Sequence, residues 1–358
     1  MRRLLAVLMF LASAFRPGSG RADDPPAWTQ VKPGEFPPAG AAREISGELI
    51  GLDHVNRSGL LRPDRNDSQR TDDYDIALPF SLLPYAKILF HGSYAELRDV
   101  PLGTHLHGLF FVQDAPAKNQ KPVFNRALAL EDDFSRLARL KRSWRVETVE
   151  ADKGRLVVTG LGADGPPDAK PVTFQVGPAT RVWKGRGFGK LADVAPGQQI
   201  LANLTVCTLK GPGRCTDLWI DDESRSVVRE QQLEAHRLWQ REHGLGCWVD
   251  AVDNRAGTVT VTLFDAADPS LLKELRVKEQ VAAAVAEESL RTYDQNNDVR
   301  RGPVLEVKSL PPVPGSSGIQ VTFKPNPLLE GYRPGRCLRL FAGGWRIDDL
   351  PKEERLYR

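Results

Sequence analysis

The segment LRDVPLGTHLHGLFF, Leu97 to Phe111, has a second copy in LADVAPGQQILANLTV, Leu191 to Val206. Leu97, Asp99, Val100 and Gly103 recur without gaps as Leu191, Asp193, Val194 and Gly197. Backwards from there, Ile88 falls on Val182 and Tyr94 on Phe188. Forwards through a hairpin, LALEDD at 128 falls on LWIDDE at 218. Each acidic doublet precedes a helical stretch, 133–143 and 224–243, and a new strand then opens with Trp144-Arg-Val or Cys247-Trp-Val. The repeat is therefore about 100 residues long, and repeats of supersecondary size set the architecture before any single element does.

A third copy begins at Gly246, where GCWVDAVDNRAGTVTVTLFD matches WRVETVEADKGRLVVTGLG at 144: strand, polar turn with Gly, alternating strand. Propensity favours a helix for the Ala-rich segment LLKELRVKEQVAAAVAE. The repeat instead predicts a strand, with Val281, Ala283 and Val285 on Ile200, Ala202 and Leu204. A further Leu-x5-Gly signature at Leu329 and Gly335 makes the last unit longer than the others. Short alternating strands with 31 Gly and 27 Pro predict a mainly β protein. Its expected form is about three tandem small β-barrels, OB- or SH3-like, joined by short helices and spanning 45–143, 144–245 and 246–358.

Ahead of the repeats, Arg2 and Arg3 precede an apolar run from Leu4 to Phe15, with Gly20 and Ala22 where a signal peptidase tests for small residues. Residues 1–22 read as a signal peptide, and 23–44 as a Pro-rich linker. The expected location is the periplasm, cell envelope or outside of the cell. No stretch reaches the roughly 20 apolar residues of a membrane-spanning helix, so no membrane insertion is expected. Without the four Arg of residues 1–22, the 49 basic residues become 45, against 46 acidic ones. That balance gives no electrostatic case for nucleic acid and counts against an oligonucleotide-binding OB-like protein.

The stretches GLDHVNRSGLLRPDR, VEADKGRLVVTG with TRVWKG and LADVAPGQQI, and VDAVDNRAGTVTVTLFD resemble exported tandem-repeat proteins of planctomycete-type bacteria. They are also similar to a broader exported bacterial β-domain of unknown function. The resemblance covers most of the chain beyond the leader. It implies a compartment and a fold, and it transfers no catalytic residue.

Chemistry-bearing residues are few. His105 and His107, two apart on a strand, share a face and are candidate ligands for copper or zinc, with His91 as the third. Leu106 between them belongs to the core register, so the histidines face away from the barrel interior. Four cysteines in an oxidising compartment predict disulfides. Cys207 and Cys215 flank the turn TLKGPGR as facing strands of a hairpin would, which leaves Cys247 with Cys337. Asp294, Asn296 and Asp298 offer alternating oxygens for calcium, without the Gly of an EF-hand loop. Asp132-Asp133 and Asp221-Asp222 stand where helix N-caps belong. No GxSxG or HExxH occurs. The expected function is a non-enzymatic envelope scaffold or binding protein with a protein or glycan partner and no obligatory cofactor. The alternative is a periplasmic copper- or zinc-binding protein.

Overall fold

The computed structural model describes residues 31–37, 42–64, 77–111, 125–162, 167–168, 170–205, 207, 212–292, 299–347 and 350–356. The signal segment, most of the linker and the calcium candidates Asp294, Asn296 and Asp298 lie outside the described residues.

Three small β-barrels follow one another. The first comprises β1 (Arg43–Asp53), β2 (Ser58–Pro63), β3 (Leu78–Phe90), β4 (Ser93–Ala95), β5 (His105–Phe111) and β6 (Asn125–Asp132). Its ring runs β1-β2-β3-β6-β5 and back to β1, with β3 and β6 parallel and β4 flanking β3. Helix α1 (Asp133–Arg139) leads to β7 (Ser143–Glu150), β8 (Arg155–Leu161), β9 (Val172–Lys184), β10 (Gly187–Phe188), β11 (Gln199–Leu204) and β12 (Arg214–Trp219). These close in the same order, again with one parallel pair, β9 with β12. A five-strand Greek-key ring of this kind is OB-like.

Helix α2 (Asp222–His243) leads to the third barrel: β13 (Leu245–Asp253), β14 (Thr258–Phe264), the short α3 (Pro269–Leu272), β15 (Gln280–Ala286), β16 (Val299–Ser309), β17 (Ser316–Phe323) and β18 (Cys337–Ala342). All its pairings are antiparallel, and the ring is β13-β14-β17-β16-β15-β18.

One turn recurs in all three barrels. Gly103, Gly197 and Gly335 have φ of 89°, 86° and 79°, a left-handed backbone that favours Gly. Their N–H groups donate to the carbonyls of Leu49, Val146 and Val249 at 2.8, 2.7 and 2.8 Å. The counterpart of β5 and β11 is therefore β18, entered from Leu329 and Gly335. β15 is a strand but not that copy. It lies between β18 and β16, and all its residues after Gln280 are buried. The apolar run that placed Val281, Ala283 and Val285 on Ile200, Ala202 and Leu204 is a property of any strand covered on both faces.

Barrel 1 carries the other two. Against barrel 3 its core is continuous: Tyr85 meets Trp248 and Phe264, both at 6.0 Å between ring centroids, and Phe36 at 5.3 Å. Against barrel 2, Phe134 of α1 packs edge-on to Trp219 at 4.7 Å beside Leu201 and Val228.

The disulfide expectation is not met, for all four thiols are free. Trp248 stands opposite Cys337 and Cys247 opposite Leu338. An offset of one residue puts the two sulfurs on opposite faces of the sheet. Cys247 thus lies in the barrel 3 core and Cys337 in the core shared with barrel 1. In barrel 2, Cys215 stands opposite Leu204, while Cys207 lies beyond the end of β11, towards barrel 1.

Candidate metal centre

On β5, His105, Leu106 and His107 alternate, with Leu106 in the barrel 1 core and both imidazoles on the outer face. That outer face is not solvent: His105 is 2 % exposed, because α1 and barrel 2 cover it. The hairpin register puts Leu106 opposite Asp132 and His107 opposite Glu131, so the chain leaves β6 beside His105. Asp132 caps α1 by accepting from Ser135 N at 2.9 Å. Asp133, the next residue, turns its carboxylate back onto the histidines.

Asp133 Oδ1 lies 2.8 Å from His105 Nδ1 and 2.9 Å from His107 Nε2. Its Oδ2 accepts the Leu204 N–H of barrel 2 at 2.9 Å. His105 Nε2 reaches Asp64 at 3.0 Å, and His107 Nδ1 lies 2.7 Å from Ser46 Oγ. Carboxylates only accept, so in the metal-free site His105 donates from both nitrogens and His107 donates from Nε2. His107 Nδ1 and the Ser46 hydroxyl share the remaining hydrogen bond.

Charge follows the same geometry. Burial disfavours the His105 imidazolium, but Asp133 and Asp64 outweigh it and hold the group well above its ordinary value. Burial likewise pushes the Asp133 carboxyl up, and His105 with His107 outweighs it and holds the carboxyl far below the usual carboxylate range. Cys207 donates its backbone N–H to Asp64 at 2.9 Å, and burial pushes its thiol up.

Among the described residues, two sets of three have ligand atoms within 4.8 Å of one another: His105, His107 and Asp133, and Asp64, His105 and Cys207. Both sets open on a cavity of about 450 Å³ between barrels 1 and 2. Its floor is the His–Asp cluster, and its apolar wall includes Trp144, Phe174, Leu137 and Leu140.

Comparison with protein-family models, curated proteins and solved structures gives no match.

The site must therefore be read from its own residues. Of the three predicted ligands, the structure brings His105 and His107 together and leaves His91 out. His91 stacks on Phe90 at 3.8 Å and meets Trp219 edge-on at 5.1 Å. Its backbone N–H donates to Asp132 at 3.2 Å, and its φ of 53° turns it into the seam as a packing residue. The third member of the cluster is Asp133, whose position in an acidic doublet before a helix points to capping instead. The residue in the same place after the α2 cap, Asp222, has a side chain 95 % exposed and paired with Arg225. The available signal was the hairpin: pairing HLHGLFF with LALEDD antiparallel brings Asp133 to His105.

Proposed function

We propose that this chain is an exported binding protein whose working site is a divalent transition-metal centre, of the zinc or copper class, formed by His105, His107 and Asp133. The observation that carries the reading is that each ligand's remaining polar atom is already held. Asp64 holds His105 Nε2, Ser46 holds His107 Nδ1, and the Leu204 amide holds Asp133 Oδ2. Such outer contacts orient metal ligands and fix their tautomers. Two imidazoles and a carboxylate would leave one position of a tetrahedral ion open, and His105, His107 and Asp133 all line the cavity. Asp64 and Asp133 also bring two carboxylates to the cluster, which favours a cation.

Ser46, His107 and Asp133 also form a hydroxyl–imidazole–carboxylate chain, the arrangement of an activated serine. Ser46, however, is not among the residues lining the cavity that His105, His107 and Asp133 line, and the same Asp133 oxygen is shared with His105. We therefore favour binding over acyl transfer.

The deciding experiment is elemental analysis of protein purified from its natural compartment, beside His105→Ala/His107→Ala and Asp133→Asn variants. One equivalent of zinc or copper, lost in both variants, is the expected result. Metal-free protein that binds neither ion on titration would overturn the reading. Ester hydrolysis abolished by Ser46→Ala would replace it with the enzymatic one.

A further inference from the structure

The junction of barrel 1, barrel 3 and α2 holds two guanidinium groups inside the protein: Arg57 is 7 % exposed and Arg339 is 5 % exposed. Arg57 donates Nη1 to the carbonyls of Leu83 and Pro84 at 3.4 and 3.2 Å. Arg339 donates Nε to Leu290 O at 3.1 Å and Nη1 to Gly244 O at 3.0 Å. Carbonyl oxygens satisfy donors but carry no charge, and a buried cation without a counter-charge is costly.

The counter-charge at this junction is incomplete. Glu96 Oε2 stands 4.0 Å from Arg57 Nε, beyond hydrogen-bond distance. Arg57 Nε is buried and has no hydrogen-bond partner. Glu354, the other carboxylate at this place, is engaged by His243 Nε2 at 3.1 Å. The Trp239 ring under Arg339, at 4.8 Å, offers a π face rather than a charge. Exposed Arg98 stands at the mouth and adds positive potential.

Between these groups lies a cavity of about 50 Å³. A water needs roughly 10–15 Å³ by this measure, so the space suits a few waters or one compact polyatomic ion. Guanidinium groups recognise planar or tetrahedral oxyanions through paired N–H donors. We propose that this cavity binds one small tetrahedral oxyanion, of the phosphate or sulfate class, between Arg57 and Arg339. The site is separate from the His–Asp cluster and does not depend on it. By bridging a barrel 1 turn to β18, the ion would fasten barrels 1 and 3 beside their shared core, whose Leu290 lines the cavity.

The test is calorimetric titration of the chelator-treated full-length protein with sodium phosphate and with sodium sulfate, against chloride at matched ionic strength. One saturable site for at least one oxyanion is expected. Arg57→Gln should weaken it about tenfold or more, the loss of a charge-assisted hydrogen bond. Glu96→Gln should tighten it several-fold, because it removes the competing negative charge. If Arg57→Gln does not fold, Arg98→Gln should weaken binding a few-fold. The proposal is overturned by the absence of saturable oxyanion binding, by acetate binding as tightly as phosphate and sulfate, or by a Glu96→Gln protein that binds no better than the parent.

Discussion

Asn203 of barrel 2 donates its side-chain amide to Asp132 of barrel 1 over 2.8 Å, and the two residues are 1 % and 0 % exposed. The other end of the same amide accepts the Phe134 N–H at 2.8 Å. Asp132 in turn caps α1 and accepts the His91 N–H. One buried carboxylate therefore joins the barrel 1 turn, the helix and the second barrel. Asn203→Ala leaves the buried Phe134 N–H unpaired and removes one of the two donors to Asp132 Oδ2, at a cost of about 1–3 kcal/mol each. Chemical denaturation should register a loss of about 2–4 kcal/mol. A variant as stable as the parent would mean that the seam is not closed by this pair.

The architecture was legible because it rests on local signals: strand alternation, a left-handed glycine in each copy and acidic doublets before helices. Barrel 3 was misread where one apolar strand was matched to another, since burial on both faces erases the pattern that distinguishes strands. Of the site, His105 and His107 were legible from their spacing alone. Asp133 was hidden behind a capping role that Asp132 alone fills. Asp64 comes to His105 at the end of β2, where its N–H donates to Ser46 O, a long-range placement with no spacing signal. Cys207 approaches only because barrel 2 docks on barrel 1, a contact that neither copy of the repeat encodes by itself. His91 looked available because it borders the strand turn at Gly92, but its left-handed backbone aims it at Trp219. Accordingly His91→Asn, which suits that backbone, should leave metal content unchanged while lowering stability through lost ring packing.

The stability of the metal-free protein should depend on pH through His105 and Asp133, in opposite senses. His105 is held above its ordinary value of 6.5, so its contribution is complete below that pH and is lost as the pH rises through the folded-state value. Asp133 is held below 3.8, so its contribution is complete above that pH and is lost on further acidification. The pair therefore stabilises most between these two values. Urea denaturation of parent and His105→Gln proteins, both treated with chelator, should differ most near pH 5. The gap should shrink as the solution is made alkaline. A gap independent of pH would mean that His105 is neutral in the folded protein.

Metal binding should show the reverse trend. A metal must displace the protons that His105 Nδ1 and His107 Nε2 direct at Asp133, so affinity should rise with pH over the range in which stability of the metal-free protein falls. Ser46→Ala removes the group that holds His107 Nδ1 without touching a ligand, and should weaken affinity by about 10–100-fold. Competition with a chromophoric chelator at two pH values measures both effects. Equal affinity in parent and Ser46→Ala would remove His107 from the ligand set.

The thiols supply the last test, because the proposed export and free cysteines pull in different directions. An oxidising compartment favours disulfides, but bridging also requires Cβ atoms about 3.5–4.5 Å apart and pointing at each other. Cys247 and Cys337 fail the second condition through their strand register. Burial pushes both thiols up, Cys337 to about 12 and Cys247 well above the ordinary value, so neither supplies the thiolate that exchange needs. Cys215 is enclosed in the barrel 2 core. Denatured protein never exposed to reductant should therefore titrate four thiols with a disulfide reagent, and native protein almost none within minutes. Two thiols in the denatured sample would reveal one bridge, and peptide mapping would identify it. A Cys207–Cys215 bridge would draw Cys207 from its place beside Asp64 and His105, and would leave the His105, His107 and Asp133 set as the only ligands for an ion there.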